Sequence, residues 1–230
     1  MKKISSLPDR IDQLIYLSRS LSHQAVCGEG NVSMRGDKGF YIKASGTTLE
    51  ELEWEDTVHC DLDGNVMEGE ELKPSMEVGF HAWFYRTFPE VNFVSHTHPT
   101  NTGMILCSGR LTTFANERLF PDQVVRNGTQ SCVVSYATPG DKLMKEIELC
   151  VTEFIQQQGF FPKLILLQNH GIITVSASAK DCVASAMMCE KSAEIFIGAK
   201  LLNNISCLTP EEVTEVSTDP NEQYRMQLLK

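Results

Sequence analysis

The sequence has no long uninterrupted run of apolar residues, since no stretch approaches the ~18 needed to cross a bilayer. It also has no apolar segment of the signal-peptide type near its start, where Pro8-Asp-Arg-Ile-Asp12 follows the first seven residues. Positive charge is scarce as well: 20 Lys and Arg stand against 30 Asp and Glu, for a formal net charge of −10. Nucleic acids and anionic membranes bind clustered basic residues, so neither is expected as a partner. We expect a soluble, cytoplasmic protein.

The 230 residues contain no Pro/Gly/Ser-rich linker, internal repeat or low-complexity segment. A chain of this length without a linker is expected to fold as a single domain over residues 1–230, with a substantial core. None of the eight cysteines forms a Cys-x-x-Cys pair, and several lie within apolar runs. This pattern is more typical of reduced, mostly buried thiols in a reducing compartment than of a disulfide framework.

Alternating helical and extended patterns predict an α/β or α+β protein. Apolar residues at helical spacing predict helices over 9–22, 78–88, 141–158 and 179–202. Short extended patterns predict strands that include 39–43, 91–98, 163–167 and 172–176. Residues 112–140 are expected to be rich in loops. Because some strands form hairpin-like pairs, the sheet is expected to be largely antiparallel.

The segment Val94-Ser-His-Thr-His-Pro99 carries two histidines at the end of a predicted strand. Residues i and i+2 of a strand point to the same face, with Cα atoms roughly 6.6 Å apart, so His96 and His98 can bind one metal ion. Pro99 ends the strand and leaves the pair at the rim of the sheet. Two histidines alone do not close a tetrahedral site, and two ordinary surface histidines are an equally good interpretation.

A third histidine, His170, lies in the turn Gln168-Asn-His-Gly171 between two predicted strands. A glycine after the histidine allows the backbone to turn tightly, and a purely structural role stays open on this pattern alone. Three imidazoles with an open fourth position are the arrangement of a catalytic zinc site.

Three further segments carry small or polar residues at the ends of predicted elements. In Pro74-Ser-Met-Glu77, Ser75 suits the N-cap of the following helix, and the helix dipole favours the Glu77 carboxylate in the first turn. Helix capping therefore suffices to explain Glu77 locally. The segments Gly28-Glu-Gly-Asn31 and Lys43-Ala-Ser-Gly46 could present backbone amides to an anion or be plain connections.

Five segments in this order make the chain resemble the class II aldolase/adducin family over residues 9–225. They are Gly30-Asn-Val-Ser33, Ala44-Ser-Gly46, Pro74-Ser-Met-Glu77, His96-Thr-His98 with Pro99, and Asn169-His-Gly171. The resemblance implies a three-layer α/β/α fold around a central, largely antiparallel sheet. It also implies a homotetramer with active sites between neighbouring subunits.

For the site, the resemblance implies one Zn²⁺ per chain held by His96, His98 and His170, with Glu77 as the catalytic acid/base. Tyr224 matches a C-terminal tyrosine that a neighbouring subunit contributes to protonate the aldehyde oxygen. The substrate's phosphate is expected to be bound by a set of small and polar residues: Asn31, Lys43, Ser45, Gly46 and Ser75.

Two positions depart from the L-fuculose-phosphate aldolases of this family. Gly28 and Met76 stand where those enzymes carry hydroxyl side chains. Phosphate recognition is therefore expected to be weaker here and to depend on Lys43, provided that its side chain turns inward. An unphosphorylated substrate stays open.

The expected activity is that of a class II, zinc-dependent aldehyde-lyase. Such an enzyme cleaves a ketose 1-phosphate, or a related sugar or sugar acid, into dihydroxyacetone phosphate and an aldehyde through a zinc-stabilised enediolate. The family's 4-epimerases carry aspartate at the position of Glu77, so glutamate favours cleavage, whereas its sugar-phosphate dehydratases keep glutamate and stay open. Adducin-like binding modules lack the three histidines, and no nucleophile elbow indicates a hydrolase.

Overall fold

A seven-stranded sheet forms the centre of the protein, in a computed structural model that describes residues 7–202 and 204–228. The strands are β1 (Asn31–Arg35), β2 (Phe40–Lys43), β3 (Thr57–Cys60), β4 (Phe93–Thr97), β5 (Cys132–Val134), β6 (Leu164–Leu167) and β7 (Ile172–Ser176). Their order across the sheet is β3-β2-β1-β4-β7-β6-β5. Neighbouring strands are antiparallel except for the parallel pair β5 and β6, so the sheet is mixed but largely antiparallel, as predicted.

Helices cover both faces of this sheet. They are α1 (Leu7–Leu21), α2 (Val78–Thr87), α3 (Thr100–Leu106), α4 (Leu111–Asn116), α5 (Pro121–Asn127), α6 (Asp141–Gln158), α7 (Ala179–Leu201), α8 (Pro210–Thr218) and α9 (Pro220–Gln227). Among the helices described, none is long and apolar enough to cross a membrane.

Two hydrophobic clusters, one on each face, hold the three layers together. Buried residues of α1, α3, α4 and α7 share the first cluster, and those of α2 and α6 share the second. Strand β6 shows the alternation clearly, because Leu164 and Leu166 join the first cluster while Ile165 and Leu167 join the second. A strand that is apolar on both faces is typical of a sheet buried between two helical layers. The three-layer α/β/α prediction is confirmed.

The register of β4, the middle strand, places the predicted metal-binding residues at one end of the central strands. His96 pairs with Asn31 of β1 on one side and with Ile173 of β7 on the other. Strand β4 ends at Thr97, where the antiparallel β7 begins. His98 and His170, which flank these strand ends, are therefore brought side by side although they are far apart in sequence.

Several predicted elements need correction. Residues 112–140, expected to be rich in loops, contain parts of α4, all of α5 and β5. Helix α2 begins at Val78, directly after Glu77, and has no side-chain N-cap hydrogen bond, so the prediction that Ser75 caps it is wrong. Helix α6, by contrast, has the predicted bounds.

Candidate metal centre and active site

The three histidines converge on one point at the ends of the central strands β4 and β7. One ring nitrogen from each of His96, His98 and His170 lies within 4.8 Å of the other two. His96 Nε2 and His98 Nε2 are 2.9 Å apart. The structure therefore brings together the three residues that the sequence indicated as metal ligands.

Burial favours the neutral form of His96 and His170. His96 is fully buried, and its Nδ1 donates a hydrogen bond to the Ile172 carbonyl at 2.9 Å, which leaves a lone pair on Nε2 facing the cluster. Burial lowers the pKa of His96 to about 3, with a further contribution from His98. Burial and the neighbouring His96 lower the pKa of His170 to about 4. Neutral imidazoles are the form that binds metal ions.

Gly171 is required at the cluster by lack of space. A Cβ atom at this position would lie 2.5 Å from both the Thr97 carbonyl oxygen and His98 Cδ2, and 3.0 Å from His96 Cε1. The turn itself is made by Asn169, which adopts a positive φ of 55°. The glycine therefore lets the His170 turn pack directly against the other two rings, a different reason from the tight turn predicted for it.

Glu77 faces the histidines and does not cap α2. Its side chain is 11% exposed, with Oε2 3.3 Å from His96 Nε2 and Oε1 3.5 Å from His170 Nε2. Asn31 Nδ2 donates to Oε2 at 2.8 Å, whereas Oε1 is buried and has no hydrogen-bond partner among the described residues. The carboxylate thus has one oxygen held in place and one available for chemistry.

This set of atoms suits a divalent cation. Three imidazole nitrogens and a carboxylate converge, and the buried Oε1 of Glu77 has no hydrogen donor in the described part of the chain. Acceptors crowded together in a buried site are stabilised by a positive charge among them. Three nitrogen ligands with a further open position are typical of catalytic zinc.

A cavity of about 250 Å³ opens beside the cluster. Glu77, His98 and His170 line one part of it, and the predicted phosphate-binding residues line the rest: Asn31, Lys43, Ser45, Gly46 and Ser75. Gly46 adopts a φ of +88°, which L side chains rarely tolerate. The loops that the sequence indicated as anion-binding are therefore gathered in one place.

Several donors in this cavity are already committed within the protein. Both hydrogens of the Asn31 amide are used, on Ser75 Oγ at 3.1 Å and on Glu77 Oε2 at 2.8 Å. Ser45 Oγ donates to the Pro74 carbonyl. Ser75 Oγ accepts from Asn31 and from the Glu77 backbone N–H, so its own hydrogen stays available to a ligand.

Lys43 lines the cavity, yet its ammonium is turned towards its own loop. Nζ donates to the Thr47 carbonyl at 2.7 Å and to the Ala44 carbonyl at 3.1 Å. Burial lowers the pKa of Lys43, and Asp56 partly opposes that effect. Nζ also donates to Thr47 Oγ1 at 3.5 Å, so its three hydrogens all have acceptors within the loop. Lys43 therefore stabilises the loop first, and an anion would have to replace the long contact with the Thr47 hydroxyl.

Tyr224 is the one predicted site residue that lies apart from the others in this chain. It sits on α9, is 63% exposed and is not among the residues that line the cavity. The next residue, Arg225, forms an ion pair with Asp122 of α5 that fixes α9 against the body of the protein. Within its own chain, Tyr224 therefore does not line the cavity.

Four residues near the site were missed by the sequence analysis. Glu29 Oε2 lies 3.5 Å from His98 Nδ1, on the side of the ring away from the cluster. Ser33, His81 and Tyr85 form a buried polar group behind Asn31. A signal for two of them was present, because Glu77, His81 and Tyr85 are spaced at i, i+4 and i+8, which places them on one helix face.

Comparison with known proteins gives the site its context. Residues 12–197 match the family described as Class II Aldolase and Adducin N-terminal domain. An L-fuculose phosphate aldolase of Methanococcus maripaludis is 28% identical over 167 residues, which cover 72% of this chain and 83% of the relative. A 5-deoxy-D-ribulose 1-phosphate aldolase of Bacillus thuringiensis serovar kurstaki is 28% identical over 214 residues, covering 91% and 93% of the two chains.

A solved structure of L-fuculose 1-phosphate aldolase has the same fold. It superposes with a TM-score of 0.76 at 23% identity and covers 98% of this chain and 100% of the other. At this identity the similarity shows the fold alone. The family match, in contrast, extends over most of the sequence and includes the three histidines and Glu77. The chain belongs to the class II aldolase and adducin family.

Proposed function

We propose that this protein is a metal-dependent aldolase that cleaves a ketose 1-phosphate into dihydroxyacetone phosphate and an aldehyde. The observation that carries the proposal is the position of Glu77, whose oxygens lie 3.3 Å and 3.5 Å from ring nitrogens of His96 and His170 beside an open cavity. A carboxylate at this place can exchange protons with a substrate bound next to a metal ion.

The metal would be held by His96, His98 and His170. Zn²⁺ suits three imidazole ligands and, when bound, would supply Lewis-acid stabilisation of the negative charge that develops on a substrate oxygen.

Glu77 provides the proton transfers on both sides of carbon–carbon cleavage. Its carboxylate takes the proton from the hydroxyl on C4, the C3–C4 bond breaks, and the bonding electrons pass to the carbonyl group and form an enediolate. The aldehyde leaves with the oxygen that lost its proton. Glu77 then returns a proton to C3, which gives dihydroxyacetone phosphate. The unpaired Oε1 is the oxygen suited to this exchange, because Asn31 holds Oε2.

The phosphate would bind in the cavity between the two small-residue loops. Ser75 has a free hydroxyl hydrogen there, and Lys43 can turn one N–H from its 3.5 Å contact with Thr47 Oγ1 towards an anion. Asn31 can contribute only by releasing Ser75 or Glu77. Phosphate recognition by Asn31, Lys43, Ser45, Gly46 and Ser75 is therefore proposed to be weaker than in relatives with more hydroxyl side chains.

The assembly proposed is a homotetramer in which Tyr224 of a neighbouring subunit enters the cavity beside the aldehyde oxygen. Tyr224 would relay the proton of the C4 hydroxyl to Glu77 during cleavage and protonate the aldehyde oxygen in the reverse reaction. The exposure of Tyr224 on α9 supports this role, because within its own chain it does not line the cavity. The names of two relatives, both aldolases of sugar phosphates, support the substrate class.

A retro-aldol screen of zinc-loaded protein tests the proposal. Ketose 1-phosphates and the same ketoses without phosphate are supplied, and dihydroxyacetone phosphate and the aldehyde are both measured directly. Cleavage of at least one ketose 1-phosphate is expected, with loss of activity in Glu77→Gln and His98→Ala. Formation of an epimer or loss of water, without any aldehyde, would assign the site to another reaction. Preference for the free sugar would show that the loops bind a group other than phosphate.

A further inference from the structure

A line of hydrogen bonds runs from Glu77 into the interior between α2 and β1. The four residues behind Glu77 are each at most 2% exposed: Asn31, His81, Ser33 and Tyr85. Asn31 Nδ2 lies 2.8 Å from Glu77 Oε2, and Asn31 Oδ1 lies 2.5 Å from His81 Nε2. His81 Nδ1 lies 2.7 Å from Ser33 Oγ, which lies 2.7 Å from the Tyr85 hydroxyl. None of the three inner residues lines the cavity.

The direction of every bond in this line is determined. A carboxylate only accepts hydrogen bonds, so the Asn31 amide nitrogen must face Glu77 and its oxygen must face His81. His81 Nε2 therefore carries a hydrogen. Burial, and secondarily His96, lowers the pKa of His81 well below its ordinary value, so the ring is neutral and Nδ1 accepts. Ser33 must then donate to Nδ1, which leaves Tyr85 to donate to Ser33.

His81 is the partner of Asn31 Oδ1 and so supports the orientation in which Nδ2 faces Glu77 and Ser75. The two ends of an amide have nearly the same shape, and only their hydrogen-bond partners distinguish them. Without a donor at Oδ1, the amide can rotate and present its oxygen to Glu77. Two acceptors would then face each other, and the carboxylate would lose the contact that holds Oε2.

We propose that His81 is a positioning residue for the reaction, which fixes the Asn31 amide and through it holds Glu77 with Oε1 towards the substrate. This inference rests on the proposed aldol cleavage. His81 does not touch the substrate, because it is fully buried and lies behind Asn31. Its effect is on the orientation of the carboxylate and therefore on turnover more than on substrate binding.

Two substitutions of His81 by amide side chains distinguish this positioning role from a packing role. In His81→Gln the side-chain amide reaches the place of Nε2 and can donate to Asn31 Oδ1. In His81→Asn the shorter amide reaches only the place of Nδ1, near Ser33. His81→Asn is expected to lower kcat by on the order of 10–100-fold with little change in KM, because a misplacement of about 1 Å can cost a hundredfold. His81→Gln is expected to recover most of the lost kcat.

Zinc content and melting temperature are measured for each variant, with Tyr85→Phe as a control. The phenylalanine variant keeps the Ser33 hydrogen bond to His81, so its kcat is expected to stay within a few-fold of the parent's. Equal kcat in the asparagine variant and the parent, or equal loss in the glutamine and asparagine variants, would contradict the positioning role. If His81→Asn does not fold, Ser33→Ala replaces it. That change removes the donor that fixes the His81 tautomer, so unchanged kcat there would count against the proposal.

Crystal structures of the parent and of His81→Asn separate this inference from the proposed function. The inference expects the contact between Asn31 Nδ2 and Glu77 Oε2 to be present in the parent and broken in the variant, whatever the reaction. If the parent cleaves no sugar phosphate but the contact breaks as expected, the proposed function fails and the positioning of Glu77 stands. An unchanged carboxylate in the variant overturns the positioning role itself.

Discussion

At the scale of single residues, the two oxygens of Glu77 have different surroundings. Oε2 accepts from Asn31, whereas Oε1 has no hydrogen bond among the described residues and lies next to His170 and the cavity. Oε2 therefore holds the carboxylate in place, and Oε1 is the oxygen that can exchange protons with the substrate.

Glu77→Gln is expected to lower kcat by about 10²–10⁴-fold and to leave zinc content and fold unchanged. The amide keeps the size of the side chain and an oxygen that accepts from Asn31, but it cannot exchange the proton. Steady-state kinetics and elemental analysis of the same preparation check both parts. Near-normal turnover in Glu77→Gln would contradict the catalytic role and show that Glu77 is structural.

Gly171→Ala is expected to weaken zinc binding and to destabilise the protein by about 1–3 kcal/mol, because the new Cβ would lie 2.5 Å from the Thr97 carbonyl oxygen and His98 Cδ2. Gly198→Ala on α7 is the matched control. A Cβ there meets nothing within 4 Å, so this change is expected to be neutral or slightly stabilising. Urea unfolding and zinc titration measure the two effects. Unchanged zinc affinity in Gly171→Ala would show that the turn can accommodate a Cβ atom without displacing the histidines.

The sequence could identify His96, His98, His170 and Glu77 because ordered segments carry them. It could not show that Glu77 turns away from the helix N-terminus, since local capping rules predicted the opposite. The orientation of Glu77 is set by its hydrogen bond with Asn31. Asn31 of β1 pairs with His96 of β4, so its position depends on the register of the sheet. Contacts between distant segments are not encoded in any local pattern.

At the scale of elements, helix α3 is fixed by a carboxylate from α7. The two oxygens of Glu190 accept hydrogen bonds from the backbone N–H groups of Asn101 and Thr102, each at 2.8 Å, and from both of their side chains. Helix α3 directly follows His98 and Pro99. This contact therefore holds the chain leaving the metal cluster against the long helix behind it.

Glu190→Gln is expected to lower the free energy of unfolding by about 1.5–3 kcal/mol, because it removes the charge from several charge-assisted hydrogen bonds and turns an N–H₂ group towards donors. Glu194→Gln, an exposed change on the same helix, is the control and is expected to have little effect. Urea unfolding compares the two. Equal stability of both variants would show that Glu190 does not stabilise α3.

Long helices with regular patterns could be predicted, whereas short helices could not. Helix α6 has the predicted bounds because its apolar stripe repeats over 18 residues. Helices α4 and α5 have only 6 and 7 residues, too few for a period to be recognised, and packing against the rest of the fold stabilises them. The capping box between Thr209 and Glu212 marked the start of α8 and was not recognised.

At the scale of the whole molecule, the proposed tetramer can be tested by mixing two inactive variants. If Tyr224 acts across a subunit interface, Tyr224→Phe and Glu77→Gln remove different parts of a shared site. Tetramers assembled from both chains would contain some sites with an intact glutamate and an intact tyrosine. Co-refolded mixtures are expected to regain activity that neither variant has alone. If mixed tetramers of confirmed composition recover no activity, either both residues belong to the site of one chain or Tyr224 takes no part in the reaction.

The central claim is that three histidines hold one metal ion beside Glu77, and anomalous X-ray scattering at the zinc edge tests it most directly. Crystals grown with Zn²⁺ are expected to show one peak per chain, about 2.0–2.1 Å from a ring nitrogen of each of His96, His98 and His170. The peak is expected to persist in Glu77→Gln and to vanish in His98→Ala. Absence of a peak at the three rings in crystals of the unaltered protein, or a peak held by other residues, would contradict the account.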